Sequence, residues 1–126
     1  LDLATNAEGG ANIFARGENG GLNSLRTSHT IPSDSTNLAT ANEGFGLQVS
    51  SVAQSSGGPL VADPPYNGSN DVVGAISTSY ESLLSAIGSP IVGGRGSVQA
   101  KAIITDITPA ANDYEELLTL IAVATF

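Results

Sequence analysis

Apolar and polar residues alternate over several short stretches of the chain. The alternation is clearest in Phe45–Ser50, and it recurs in Leu1–Ala7, in Ala11–Arg16 and in Ser97–Ile107. A period of two places the apolar side chains on one face of an extended segment, which is typical of a half-buried strand. These four segments are therefore predicted to be β-strands.

Two further segments have a less regular pattern. Ser79–Ile87 fits either a strand or a short helix. Tyr114–Phe126 is rich in apolar and β-branched residues towards its end, which favours a strand, and its apolar part Leu117–Phe126 is predicted to be a core strand. The alternative for this region is a helix, because Asn112 and Glu115 have the spacing of a capping box. We predict the strand.

Glycine, proline and asparagine mark the connections between these elements. Asn19-Gly20 predicts a tight hairpin turn, since both residues tolerate positive φ. Ser24–Asn42 is predicted to cross the surface outside the core, and Ser55–Asp71 to form a long ordered loop. Gly93–Gly96 is predicted to be a flexible turn.

The order of strands and turns defines the expected architecture. Ser97–Ile107 and Tyr114–Phe126 are joined by Thr108–Asp113, whose composition suits a loop between antiparallel strands. Many short strands without a long amphipathic helix predict an all-β fold, an antiparallel β-sandwich with Ig-like or jelly-roll-like character. At 126 residues, the chain 1–126 is expected to form one domain.

Composition and charge narrow the classes of partner. The formal net charge is −8, with 4 Lys and Arg against 12 Asp and Glu, so nucleic acid and anionic membrane surfaces are expected to be repelled. Cysteine is absent, which excludes disulfides and thiolate metal sites. No segment approaches the roughly 20 apolar residues of a transmembrane helix. The visible N-terminus, Leu1, is not an initiator methionine, and processing or trimming is the simple explanation.

Few residues could carry chemistry. His29 is the sole histidine and lies in a Ser/Thr-rich stretch without a nucleophile motif, so no enzymatic activity is predicted. The adjacent Glu115 and Glu116 would point to opposite faces of a strand and are interpreted as surface charges. A calcium ion is the one cofactor considered, held by oxygen ligands of the loop residues Asp63, Asn67, Asn70 and Asp71.

The C-terminal third resembles the terminal hairpin of bacterial spore-coat-U-like and related fimbrial or cell-surface β-sandwich proteins. The resemblance rests on Ser97–Ala102, on Thr108-Pro109-Ala110, and on a strand that starts near Tyr114 and closes with Phe126. It implies export and a structural role. The chain departs from that pattern at Glu115-Glu116, where small hydroxyl residues are usual, and it has no cysteine pair.

Two functions are expected from the sequence. The first is a structural subunit of an extracellular filament or cell-envelope layer, secreted or at the cell surface, which forms a homo-oligomer or polymer through strand edges. The residues expected to contact a neighbouring subunit are Leu1, Leu3, Leu118, Leu120 and Phe126. The alternative is an extracellular carbohydrate-binding or adhesin module that stacks a glycan on Tyr66.

Overall fold

The computed structural model describes all 126 residues and confirms the all-β class. The strands are β1 (Asp2–Thr5), β2 (Gly10–Gly17), β3 (Gly21–Ser24), β4 (His29–Pro32), β5 (Thr36–Asn37), β6 (Gly44–Ala53), β7 (Ser56–Gly57), β8 (Val61–Ala62), β9 (Val72–Val73), β10 (Glu81–Ile87), β11 (Ile91–Ile103) and β12 (Leu118–Ala124). The helical structure is a 3₁₀ turn at Leu38–Thr40, and no helix is long and apolar enough to cross a membrane.

The strands form a β-sandwich of two antiparallel sheets, as predicted. Sheet 1 has the order β1-β11-β6, with β7 also paired to β11, and sheet 2 has the order β12-β2-β10-β8. Two short ribbons, β3-β4 and β5-β9, lie beside them. The Ig-like or jelly-roll-like character of the sandwich stays a prediction.

The core lies between the two sheets and draws on the predicted alternating positions. Phe45, Leu47 and Val49 of β6 face Leu83 and Leu84 of the opposite sheet within one cluster of 15 buried residues. Gly96 allows β11 to approach β10, because a Cβ atom there would collide with the Leu84 side chain. Sheet packing of this kind requires a small residue where two strands come closest.

Two predicted strand pairings are wrong. A turn does form at Asn19-Gly20, where Gly20 has φ 70°, but β2 pairs with β10 and β12, while β3 pairs with β4. The predicted terminal hairpin also does not form. β11 lies in sheet 1, whereas β12 pairs with β2 in sheet 2, so the segment between them crosses from one layer to the other.

The predicted loops contain more structure than expected. Ser24–Asn42 includes β4, β5 and the 3₁₀ turn, and it buries Ile31 in the core cluster and Leu38 against Gly44 of β6. Ser55–Asp71 includes β7 and β8 and buries Leu60. Gly93–Gly96 belongs to β11 and is not a flexible turn. Its Gly93 adopts φ 60° inside the strand.

The two ambiguous segments are resolved as strands. Ser79–Ile87 contains β10, whose Leu83, Leu84 and Ala86 are fully buried. Leu117–Phe126 contains β12, so the helix is not formed, but the prediction of a core strand is wrong. β12 is an edge strand with one neighbour, and every residue from Thr119 to Phe126 is exposed.

Leu84→Ala tests where the core lies. The Leu84 side chain is fully buried between the sheets, so its truncation should lower the free energy of unfolding by about 2–5 kcal/mol. Leu25→Ala is the matched control, since Leu25 is 80% exposed in the β3-β4 turn and should change stability by less than about 0.5 kcal/mol. Urea unfolding followed by circular dichroism measures both, and equal losses would contradict this assignment of the core.

Candidate functional site

The loop predicted to bind calcium uses its polar groups within the fold. The Asp63 carboxylate accepts hydrogen bonds from the hydroxyls of Ser82 and Ser85, the second at 2.7 Å. The carbonyl of Asn70 accepts from Gln48 Nε2 at 3.1 Å and also from Lys101 Nζ. These bonds fasten the loop to sheet 1 and to β10.

The other two predicted calcium ligands are less constrained. Asp71 contributes its carbonyl, which accepts from the Leu38 amide at 2.9 Å, and Asn67 is exposed. The structure contains no group of three or more His, Cys, Asp or Glu residues that could hold a metal ion. Calcium binding, which would also draw on Asn side chains, stays a prediction.

Tyr66 is buried and cannot present a stacking face to a glycan. Its side chain is 1% exposed and belongs to the core cluster, and its hydroxyl donates to Ala75 O at 2.8 Å. Burial, together with the charge of Glu81, raises the pKa of Tyr66 to about 12. The sequence prediction for this residue is wrong, because an aromatic residue flanked by proline and asparagine gives no signal of its depth.

His29 belongs to a small polar cluster that ties three segments together. Its Nε2 donates to Glu43 Oε2 at 3.0 Å, and Thr108 Oγ1 donates to the same oxygen at 2.9 Å. The Tyr114 ring packs edge-on against the imidazole at 6.3 Å between centroids. The hydrogen bond from His29 holds the pKa of Glu43 below its ordinary value. The cluster joins β4, the start of β6 and the crossing segment between β11 and β12.

Two acidic residues before β12 hold the β2-β3 and β3-β4 turns. Asp113 accepts from Ser24 Oγ at 2.6 Å and from the Arg26 amide at 2.9 Å, and the hydrogen bond from Ser24 lowers the pKa of Asp113. Glu116 accepts from three backbone amides of the β2-β3 turn at 2.7–2.9 Å. Glu116 is therefore not the free surface charge that its sequence position indicated.

The predicted subunit-contact residues occupy different environments. Leu1, Leu120 and Phe126 are 43%, 44% and 92% exposed, so their side chains are available to a neighbour. Leu118 is half-buried against the core cluster. Leu3 is buried in the core of its own chain, opposite Gly94, and its side chain is not available.

Exposed apolar side chains line one side of the sandwich, while others, such as Leu25, Val61 and Ile87, are scattered elsewhere. β12 lies at the edge of sheet 2 and is apolar on both faces, with Leu120, Ile121 and Val123 between 37% and 46% exposed. In sheet 1, residues Ser97–Ile103 of β11 pair with β6 on one side and with no strand on the other. We call these two segments, β12 and Ser97–Ile103, the open edge.

Comparison with protein-family models, curated proteins and solved structures finds no match to this chain. The site is therefore defined by its geometry alone: two strands with unpaired backbone groups and uncovered apolar side chains. Such a surface can bind an extended polypeptide by adding a strand to a sheet.

Glu116→Gln tests the anchoring of the β2-β3 turn. The amide keeps one acceptor oxygen but places an NH₂ group against backbone donors, so we expect a loss of about 1–3 kcal/mol in the free energy of unfolding. Glu115→Gln is the control, because the contacts of Glu115 with Asn23 are made by its backbone. Urea unfolding measures both variants, and similar stability for the two would show that the turn does not depend on the Glu116 carboxylate.

Glu43→Gln tests the His29 cluster through its pH dependence. A depressed pKa in the folded state adds stability that is present above the ordinary pKa of 4.5 and is lost as the pH falls through the folded-state pKa. We expect the free energy of unfolding of the wild type to exceed that of Glu43→Gln by less than about 1 kcal/mol at neutral pH, because the His29–Glu43 pair is partly exposed. This difference should vanish in acid.

Urea midpoints between neutral and strongly acidic pH measure the difference, with Glu8→Gln as control, since Glu8 is exposed and lies outside the His29 cluster. A difference between wild type and Glu43→Gln that stays constant through the acid range would contradict a role for the ionised carboxylate.

Proposed function

We propose that the protein is a structural subunit of an extracellular filament or cell-envelope layer and that it self-associates through its open edge. The observation that carries this proposal is the state of β12. Its sequence, LTLIAVA, contains no charged residue and no proline, and it pairs with β2 in unbroken register over its whole length. A long, regular, apolar edge strand is the feature that proteins avoid when they remain monomeric.

The other edges of the two sheets are protected. β7 and β8 have 2 residues each, and β1 has an irregular register and carries Asp2, whose carboxylate lies 3.3 Å from Arg95. The outer side of β6 bonds to the backbone of Gly74 and Tyr66. Short length, charge, bulges and covering segments are the usual protections of a sheet edge. Their absence at β12 supports a role for that edge in assembly.

The distribution of charge also favours association at this surface. No acidic residue lies between Glu81 and Asp106 or after Glu116, although the chain has 12 of them. Two copies with a net charge of −8 repel each other at most orientations. Two copies can meet at the open edge without bringing carboxylates together, because neither β12 nor Ser97–Ile103 contains an acidic residue.

The proposed location at the cell surface rests on the sequence. The C-terminal third resembles bacterial cell-surface β-sandwich proteins in Ser97–Ala102, in Thr108-Pro109-Ala110 and in the strand that closes with Phe126, and that resemblance implies export. A structural role also agrees with the lack of a nucleophile motif around His29. The proposal includes a homo-oligomer or polymer as the working form.

Leu120→Lys tests the assembly role. The charge sits on the free edge of β12, where its desolvation opposes strand pairing, so we expect assemblies of the wild type to be replaced by monomers. Size-exclusion chromatography with light scattering and negative-stain electron microscopy measure this. Leu25→Lys is the matched control, because Leu25 is 80% exposed and belongs to neither strand of the open edge, so it should leave assembly unchanged.

Circular dichroism and the urea midpoint establish that both variants are folded. A wild-type protein that stays monomeric at every concentration would overturn the proposed function. Assemblies that persist unchanged in folded Leu120→Lys would show that another surface is responsible.

A further inference from the structure

The free edge of β11 presents a row of backbone groups without partners. The terminal ammonium of Leu1 donates to Gly96 O at 2.8 Å, and the Gly96 amide donates to Leu1 O at 2.9 Å. Backbone groups point to alternate sides along a strand, so the N–H and C=O groups of Val98, Ala100 and Ala102 point to the same side as those of Gly96. β1 covers the strand up to Gly96, and no strand lies beyond it.

The free edge of β12 is defined in the same way. The Thr125 amide donates to Gly10 O at 2.9 Å, and Leu117 O accepts from the Glu18 amide at 3.1 Å. The odd-numbered residues of β12 therefore bond to β2. The backbone groups of Leu118, Leu120, Ala122 and Ala124 point away from it, to the free side.

In both strands the residues at the free edge also have side chains that face the interior. Ala100 pairs with the core residue Leu47, and Leu120 pairs with the core residue Ala15, and directly paired residues share a face. Ala100 and Leu120 are nevertheless exposed. The sandwich is thus open along this side. Two rows of apolar side chains, one on β11 and one on β12, face the interior there but are not covered by the rest of the chain.

The two rows belong to the same side of the sandwich. β6 contacts β8, and Gly96 of β11 lies against Leu84 of β10. In the sandwich, β6 therefore lies over β8, and β11 lies over β10. The position beside β11 is therefore opposite β2 and β12. β1 fills the first half of that position, and no strand occupies the half beside Ser97–Ile103, although the 3₁₀ turn at Leu38–Thr40 contacts β11.

The two strands also run in opposite directions. Phe45 pairs with Ala102 near the end of β11. The Ser33 hydroxyl donates to Phe45 O at 3.0 Å and accepts from the Ile76 amide at 2.7 Å. The Ile76 side chain packs at the end of β2 that pairs with Leu118, where β12 begins. β11 therefore ends near the point where β12 starts.

We propose that two copies of the chain join about a two-fold axis, with β12 of each copy pairing antiparallel with Ser97–Ile103 of the other. The rotation axis lies between the two sheets and runs parallel to the strands. In each layer of the dimer, sheet 1 of one copy therefore continues into sheet 2 of the other. This inference rests on the proposed self-association and specifies its first step: the open edge closes a two-fold dimer, and a filament or layer would be built from such dimers through other surfaces. Both free edges lie on one side, so a single partner occupies both.

Three features of the strands match in this arrangement. Ser97–Ile103 and Leu118–Ala124 both contain seven residues. The free-edge residues of both face the interior, so the joined sheet keeps one apolar face. The small Ala100 and Ala102 meet the larger Leu118 and Leu120 of the partner copy, whereas pairing β11 with itself would place alanine against alanine and bring two copies of Lys101 close together.

Cysteine pairing tests the geometry in a chain that has no cysteine of its own. Ala100→Cys is mixed with Leu120→Cys or with Ala122→Cys. Mild denaturant allows the subunits to exchange between dimers, and the mixture is then oxidised. Directly opposed residues in an antiparallel ladder have Cα atoms about 5.5 Å apart, which a disulfide can span, whereas residues in facing layers about 10 Å apart are too distant. We expect covalent dimers in about half of the mixture of Ala100→Cys with Leu120→Cys, the fraction that random exchange permits, and the mixture with Ala122→Cys tests a register shifted by two residues.

The controls separate this inference from the proposed function. Each variant oxidised alone should give no covalent dimer, and Ile121→Cys, whose side chain shares the outer face with Phe14, should fail to pair with Ala100→Cys. Wild-type assembly by light scattering without any disulfide in the mixtures would overturn the geometry and leave the function standing. A disulfide formed by Ala100→Cys alone would establish pairing of β11 with itself and also overturn it. A wild-type monomer at all concentrations would overturn both.

Discussion

The fold depends on the pairing of one long strand. β11 has 13 residues and joins β1, β6 and β7 into sheet 1, and its contact at Gly96 with Leu84 sets how closely the two sheets approach. Each backbone N–H and C=O in a sheet needs a partner or water. β6 satisfies one side of β11 along most of its length, but the four residues of β1 cannot cover the other side. The free edge at Ser97–Ile103 is a direct consequence of this mismatch in length.

The acidic residues stabilise the fold mainly through hydrogen bonds. With 4 Lys and Arg against 12 Asp and Glu, the chain cannot pair most of its carboxylates with cations. Asp63, Asp113 and Glu116 instead accept from hydroxyls and backbone amides, and Glu43 accepts from His29 and Thr108. Charge-assisted bonds of this kind are stronger than those between neutral groups. These bonds stabilise the turns and the segment between β11 and β12, which position β12 at the edge of sheet 2.

The sequence predicted the type of most strands but not their partners. The period of two in Phe45–Ser50 and Ser97–Ile107 records which residues face the interior, since it reflects burial on one side. Partners depend on distant parts of the chain. A turn at Asn19-Gly20 therefore looks the same whether the flanking strands pair with each other or diverge into different sheets, as they do here. The anchoring role of Glu116 was equally hidden, because its three donors lie 95 to 98 residues away in the chain.

The misassigned depth of Leu117–Phe126 has a physical cause that bears on function. A strand that is apolar on both faces is typical of a central strand covered on both sides. β12 has this composition but lies at an edge, exposed on both faces. Burial by a partner chain selects the same side chains as burial by the chain's own core, because both remove apolar surface from water. In the proposed dimer β12 lies between β2 of its own chain and β11 of the partner copy, which is a central position in the joined sheet, while its outer-face residues Ile121 and Val123 stay exposed.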